Sequence, residues 1–565
     1  MNVIMNTSIT RRLGKVIDQA PVWILLILGM WLVVLRPLGA HLVLIPGDLG
    51  DARFNNYILE HFFRWVTGLA RDFWNAPFFF PFQQTITFSD NLLGSAPFYA
   101  LFRWAAVDQE SAFQGWYILG YILNFIAASY VLWRLELKPL AIGAGAFFFT
   151  FGLPLLAQEN HAQLLYRFCI PLTCFSLWRF YQMPRLKTLI CIGVWLVWQF
   201  YLTIYMGIFL SFLLAVLIVL LPLFVPAHTF LQRIAVWPRC IIESWSKARL
   251  TERFFTIAAM AVLGFGFAYL ILPYYHASRI YGFSRSWLEV VVMLPRIQSY
   301  LLADNSQLWR STASLLADFP LRWEHQLFPG LAIIALVLAG IAMRFNTKNR
   351  WLAWLHFTAA LTLIALTLEV HGYSLYRLIW PLPGMGSVRA VTRIILVVMW
   401  PISLFIAWVI DGFMQRFSQQ RRWMQSAAYL VVCLLAVESV FYTHSTYNKA
   451  DAQSRLSNLA HQIPAIVPTN PVLFVAENRQ EPFWAKEIDA MLLSQDLGWP
   501  TMNGYSGNYP PGSTRSDTCE QLPARIKSYM DFAGISGESF YLQMMSRFVT
   551  LGFTDCNPTW WEKMP

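Results

Sequence analysis

The residues best suited to chemistry crowd the point where the chain leaves its first apolar segment. Gly47-Asp48-Leu49-Gly50-Asp51-Ala52-Arg53-Phe54 sets two carboxylates three residues apart, with Glu60-His61 following. A carboxylate partly withdrawn from water has its pKa raised from a reference near 4 and becomes a better general base. Asp51 and Arg53 are spaced to pair locally, and Asp48 is equally suited to capping a helix that starts near Asp51. A third acid comes in Thr87-Phe88-Ser89-Asp90-Asn91. Asp90 either faces the first two acids or, with Ser89, caps a helix running from about Asn91. Gln158-Glu159-Asn160-His161-Ala162-Gln163 gathers five polar groups in six residues, which is costly beside a membrane unless they line a wet cavity. The segment Pro381 to Arg393 holds Arg389 and Arg393, four residues apart as on one helix face, after a Pro-Gly turn that Ser387 could cap. A helix N-terminus with two guanidiniums suits a phosphate, and snorkelling of the Arg side chains toward the interface is the alternative.

These residues need a scaffold, and composition says which kind. The 565 residues are 57% hydrophobic and only 13% charged, whereas a soluble fold is about a quarter charged. The chain therefore reads as a polytopic membrane protein, since about 20 apolar residues span the hydrocarbon of a bilayer. Apolar windows fall at 21–44, 112–133, 140–157, 164–181, 254–273, 328–343, 351–369, 391–411 and 426–443. The run 188–226 is too long for one span and is split near Thr203-Ile204-Tyr205-Met206-Gly207, giving eleven. The expected fold is all-α with about eleven transmembrane helices at 1–443, external loops at 46–111 and 274–327, and a small extracytoplasmic α/β domain at 444–565.

Loop charge sets the orientation. With the N-terminus in the cytoplasm every inside segment is basic, from Arg11, Arg12 and Lys15 to Arg416, Arg421 and Arg422. The first span lacks a small-residue cleavage site and reads as retained. Outside, between Pro46 and Arg393, there are thirteen Arg and no Lys. That bias favours a ligand bearing phosphate or carboxylate, for which the planar guanidinium fork is suited. The net charge of +11 is thus not a nucleic-acid footprint. The proline-bracketed Pro77-Phe78-Phe79-Phe80-Pro81 fits an interfacial segment. Cys519 and Cys556, the two cysteines expected in the oxidising compartment, are candidates for one disulfide. Nucleotide-binding loops, His-Glu-x-x-His and Cys-x-x-Cys are absent.

Asp51-Ala52-Arg53-Phe54, Phe80-Pro81 to Ser89-Asp90, His161-x-Gln163, Arg389 to Arg393 and the tail stretch Asn503-Gly504-Tyr505-Ser506-Gly507-Asn508-Tyr509-Pro510-Pro511 follow one another in an order that resembles the GT-C superfamily of polytopic glycosyltransferases. Protein O-mannosyltransferases and lipid A aminoarabinose transferases belong to it. The resemblance implies transfer of a sugar from a polyprenyl-phosphate donor to an extracytoplasmic acceptor, usually with inversion. Asp51 or Asp48 would be the base and Asp90 would orient the acceptor. Arg389, Arg393 and His161 would hold the donor phosphate, with Arg53, Glu60, His61, Glu159 and Gln163 in support. The apolar groove would hold the prenyl chain, and Trp-rich loops could stack on sugar faces. No cofactor is expected, although a divalent metal is possible with these acids. Short loops and the lack of a retention signal suit a bacterial inner membrane. The competing readings are a transporter or flippase and a non-catalytic scaffold. A transporter carries ionisable groups near the midplane, where Glu438 is the only acid well inside an expected span.

Overall fold

The computed structural model describes residues 19–225, 229–343, 350–382, 384–416, 422–476, 481–513 and 518–552. The basic residues Arg11, Arg12, Lys15, Arg344, Lys348 and Arg421 lie outside them, as does Cys556. Each apolar window contains a helix. In chain order these are α1 (Ala20–Leu38), α2 (Asp51–Val66, in the loop after α1), α3 (Gln109–Arg134), α4 (Pro139–Leu156) and α5 (Cys169–Gln182). They continue with α6 (Leu186–Leu202), α7 (Ile204–Phe224), α8 (Leu250–Tyr281), α9 (Leu331–Met343), α10 (Arg350–Thr367), α11 (Ile395–Arg416) and α12 (Arg422–Val440). Seven segments, α1, α3, α4, α7, α8, α10 and α11 with its leading turn, are long and apolar enough to cross a membrane. α6, α9 and Ser426–Val440 of α12 are apolar but shorter, and α5 has 14 residues.

α4 and α11 form the centre, each 94% buried over its most apolar stretch. Gly145 lets them approach: a Cβ there would lie 3.0 Å from both Ala407 Cβ and the Ser403 carbonyl. α8 is only 11% buried and turns Phe254, Phe265 and Leu272 outward at the rim.

Two acids, the part-buried Asp90 and the buried Glu438, explain where helices begin. The apolar run 188–226 breaks at Thr203, which is extended (φ −165°, ψ 133°). Asp90, more than a hundred residues away, accepts from the Ile204 N–H at 2.8 Å and the Thr203 hydroxyl at 3.0 Å. Asp90 is therefore an N-cap, but of α7 rather than of a helix from Asn91, which does not form; the next helix is Ala96–Trp104. Glu438 accepts from the N–H groups of Leu331 and Ala332 and from the Trp309 indole, capping α9. An acid spent on a helix start is not free to carry an ion.

The first loop and the tail interlock. Strand β1 (Leu44–Pro46) pairs antiparallel with β2 (Thr446–Asn448), joining the first loop to the start of the tail. In the tail, β3 (Val472–Val475) pairs in parallel with β4 (Phe548–Leu551), and α13 (Lys449–Ala460) and α14 (Phe483–Leu497) pack around them. The Pro77–Pro81 segment does not lie at an interface: Phe78 and Phe79 are buried, and Phe79 and Phe80 donate their N–H groups to the Asn503 and Thr501 carbonyls. Aromatic side chains flanked by prolines fit a protein core as well as a bilayer surface, and here the tail segment 501–503 pairs with them. Cys519 is disulfide-bonded.

Candidate active site

Where α2 begins, Asp48 Oδ1 accepts from the N–H groups of Gly50 (3.1 Å) and Ala52 (3.3 Å), capping the helix. Asp48 Oδ2 has no partner among the described residues. Asp51, first residue of α2, sits where the helix dipole favours an anion. Its Oδ1 accepts from the Tyr505 hydroxyl at 2.6 Å, and its Oδ2 lies 2.6 Å from His161 Nδ1, an ion pair rather than an aligned hydrogen bond. His161 Nε2 is 3.1 Å from Glu324 Oε1, and Arg393 forks onto Glu324 at 2.7 and 3.2 Å. Asp51, His161, Glu324 and Arg393 thus form a continuous tetrad of alternating charge. Tyr505 is set by Glu487, which accepts from the Gly504 N–H and the Asn503 amide.

The tetrad borders a cavity of about 1370 Å³, lined by Asp48, Asp51, Asp90, His161, Gln163, Arg389 and Arg393 among others. The sequence candidates Arg53, Glu60, His61 and Glu159 do not line it. Arg53 pairs with Asp489 of α14 at 2.6 Å, not with Asp51. Glu60 accepts from Tyr99 and Arg103. His61 faces the Asp72 and Phe73 carbonyls and is pushed down to about 4 by burial. Glu159 is paired with His444 at 2.9 Å and accepts from the Ser445 N–H. On a helix every fourth residue shares a face, so one face of α2 reaches the cavity while its other faces dock the tail and the Ala96–Trp104 helix.

Arg389 and Arg393 do not share a helix face. Residues 388–390 are non-helical, Val391–Ile394 is a 3-10 turn and α11 starts only at Ile395. Ser387 donates to the Gly384 carbonyl instead of capping. Arg393 turns inward to Glu324, whereas the half-buried Arg389 guanidinium has no side-chain partner among the described residues. Arg285, which lines the same cavity, donates to the Gly507 carbonyl and the Asn508 amide oxygen. Burial and the neighbouring Arg389 lower its pKa against the pull of Glu289, its ion-pair partner at 3.6 Å, so Arg389 is left beside a second cation with no carboxylate of its own among the described residues. Sequence reasoning missed Glu324, Arg285 and the role of Tyr505. The run Arg322-Trp323-Glu324-His325-Gln326, polar just before a span, was the available signal for Glu324.

The two leading acids are driven apart. Burial and the Asp51 charge raise Asp48, outweighing its two N–H bonds. Burial also favours neutral Asp51, but His161 and the Tyr505 hydroxyl override it and hold Asp51 below the usual range. Asp90 is raised by burial despite its cap bonds. A divalent cation fits this arrangement poorly. Asp51 and Glu324 are already occupied by His161, Tyr505 and Arg393, and among the described residues no three His, Cys, Asp or Glu side chains converge as ligands.

Burial and Arg393 lower His161, but Asp51 and Glu324 outweigh both and bring it from 6.5 up to about 9. A group raised in the folded state contributes stability fully below its unfolded value and loses it as pH rises through the folded one. Thermal stability is therefore expected to fall between about pH 6.5 and pH 9, and His161→Gln to flatten that fall. A melting profile of the wild type that stays level across this window contradicts the tetrad.

No protein-family description and no curated protein matches the chain. Among solved structures it is similar to the arabinofuranosyltransferase AftD from Mycobacteria, at 14% identity and a TM-score of 0.45, over 81% of this chain and 31% of that one. It is also similar to the archaeal oligosaccharyltransferase AglB from Archaeoglobus fulgidus in complex with an inhibitory peptide and a dolichol-phosphate, at 12% identity and a TM-score of 0.47. That likeness covers 87% of this chain and 65% of the other. The apo form of the Archaeoglobus fulgidus oligosaccharyltransferase gives 11% identity and a TM-score of 0.46, over 86% and 64%. Both proteins are GT-C superfamily membrane glycosyltransferases, the group that the sequence motifs resemble. This chain spans about a third of the first and just under two thirds of the second. With TM-scores below 0.5 these likenesses do not decide the chemistry, which is read from the cavity.

Proposed function

We propose that the protein is a membrane glycosyltransferase that moves a sugar from a polyprenyl-phosphate donor to an extracytoplasmic acceptor with inversion. The observation that carries this is one cavity lined both by a carboxylate with a free oxygen, Asp48, and by Arg389, a guanidinium with no carboxylate partner among the described residues, beside the Glu289-paired Arg285. The acceptor hydroxyl gives its proton to Asp48 Oδ2 as its oxygen attacks the anomeric carbon. The bond from that carbon to the phosphate oxygen breaks, and the polyprenyl phosphate leaves with the electron pair. Its growing charge is met by Arg389 and Arg285, in a site already poised for it. Asp51, paired with His161 and Tyr505, is the lesser base and acts by fixing the wall beside Asp48. Ile204, Tyr205 and Ile208 of α7 and Tyr274 of α8 give the cavity an apolar side suited to the first prenyl units.

In this reading eleven segments cross a bacterial inner membrane, with the N-terminus in the cytoplasm and the loops and C-terminal α/β region outside. A transporter or flippase is less well supported, because Glu438 is consumed by its cap and the remaining cavity acids sit together. A scaffold gives no reason for the charge arrangement. Arg389→Ala is expected to weaken binding of a polyprenyl phosphate about 10- to 100-fold, the value of a charge-assisted contact, with Arg389→Lys recovering part of it. Equilibrium binding to the protein in lipid nanodiscs checks this; unchanged affinity in Arg389→Ala removes the phosphate role.

A further inference from the structure

Two tryptophans in the cavity wall have no part in the chemistry above. Trp323 is 66% exposed, yet its turn is pinned on both sides. Arg322 forks onto Asp304 at 2.8 and 2.9 Å and donates to the Ala313 carbonyl, while Glu324 is held in the tetrad. A large apolar ring on an immobilised turn is an ordered surface. Trp484, at the start of α14, lies against Gly50, where an added Cβ would meet the indole at 2.9 Å. The glycine thus makes room for the indole within the stretch that carries Asp48 and Asp51. Both rings line the cavity, and neither indole N–H has a partner among the described residues.

Carboxylates and amides share the cavity with these rings. Asp48 keeps a free oxygen beside the Gly50 contact, and Asp304, Asp318, Asn160 and Gln326 line the same cavity. Flat aromatic faces with ring N–H donors, set among carboxylates and amides, match the C–H faces and hydroxyls of a sugar. Arg322, next to Trp323, is already paired with Asp304, and at the Trp484 side an anionic glycan meets the like charge of Asp48.

We propose that Trp323 and Trp484 form the acceptor subsite, and that the acceptor is a neutral carbohydrate presenting a hydroxyl to Asp48. This rests on the glycosyl-transfer reading and narrows it to one class of acceptor. The test is equilibrium binding to the full-length protein in nanodiscs. The probes are neutral gluco-, galacto-, manno-, rhamno- and arabino-oligosaccharides, a hexauronate and a Ser/Thr-rich peptide. At least one neutral oligosaccharide is expected to bind, and Trp323→Ala and Trp484→Ala each to weaken it about tenfold, a loss of about 1.4 kcal/mol. Trp323→Phe and Trp484→Phe should return most of that affinity, since they keep a flat ring. The proposal is overturned if no neutral oligosaccharide binds, if the peptide or hexauronate binds in its place, or if both Ala variants bind like the wild type, as they would if the rings were only interfacial anchors. Polyprenyl phosphate binding, measured on the same preparation, separates the two readings. Its loss with sugar binding intact strikes the donor, and the reverse strikes the acceptor.

Discussion

Asp48→Asn is expected to lower the rate of sugar transfer by about 10²–10⁴-fold while leaving polyprenyl phosphate binding unchanged, the range for loss of a positioned general base. The substitution is close to neutral for the fold. The amide oxygen can keep accepting from the Gly50 and Ala52 N–H groups, so α2 retains its cap. What is lost is the basicity of the free oxygen. Because burial and Asp51 raise Asp48 above the usual carboxylate range, the wild-type rate should climb with pH through that raised value and fall again as His161 loses its proton near 9. Asp51→Asn should behave differently. It removes the charge that Asp51 presents to both His161 and Asp48, so it shifts both limbs of the profile as well as lowering the rate. If Asp48→Asn transferred sugar at the wild-type rate and Asp51→Asn did not, the base would be Asp51.

Glu324→Gln is expected to be the most destabilising single change near the site, by about 3–5 kcal/mol, because it strands a charged partner. Glu324 is 5% exposed and neutralises Arg393, 10% exposed, on one side and His161 on the other. The amide can still hydrogen-bond but cannot balance two cations. Opposing burial, Arg393 and His161 now hold Glu324 well below its ordinary value, so the pair is ionised at any pH the protein meets. The double variant Glu324→Gln/Arg393→Met should recover part of the loss, with a coupling of about 0.5–3 kcal/mol between contacting residues. Additive losses in a denaturation cycle would show that the two side chains do not act as a unit.

The helices were legible because apolar runs of the right length have few other fates, and even the break at Thr203 fell in the interval read from the sequence. What lay out of reach was which acid caps what. Asp90 and Asp48 have similar local surroundings in sequence, yet Asp90 caps a helix more than a hundred residues on and Asp48 caps its own. Local spacing also misled at Arg389 and Arg393: four residues apart implies one helix face, but the chain is non-helical there and the two guanidiniums part. Glu159 and His161, two residues apart in a polar run, went to different partners, His444 and the tetrad. The tail residues Tyr505 and Trp484 reach the cavity through the packing of the tail against the first loop, a pairing over more than 400 positions that no local pattern reports.

Transfer from a lipid-linked sugar is read out by mass spectrometry of polyprenyl-phosphate sugars. Three strains are compared: one lacking this chain, one carrying the wild type and one carrying Asp48→Asn. One polyprenyl-phosphate-linked sugar should accumulate in the deletion strain, fall with the wild type and accumulate again with Asp48→Asn expressed at the same level. An identical lipid-linked pool in all three strains would mean that the protein does not use a polyprenyl-phosphate sugar.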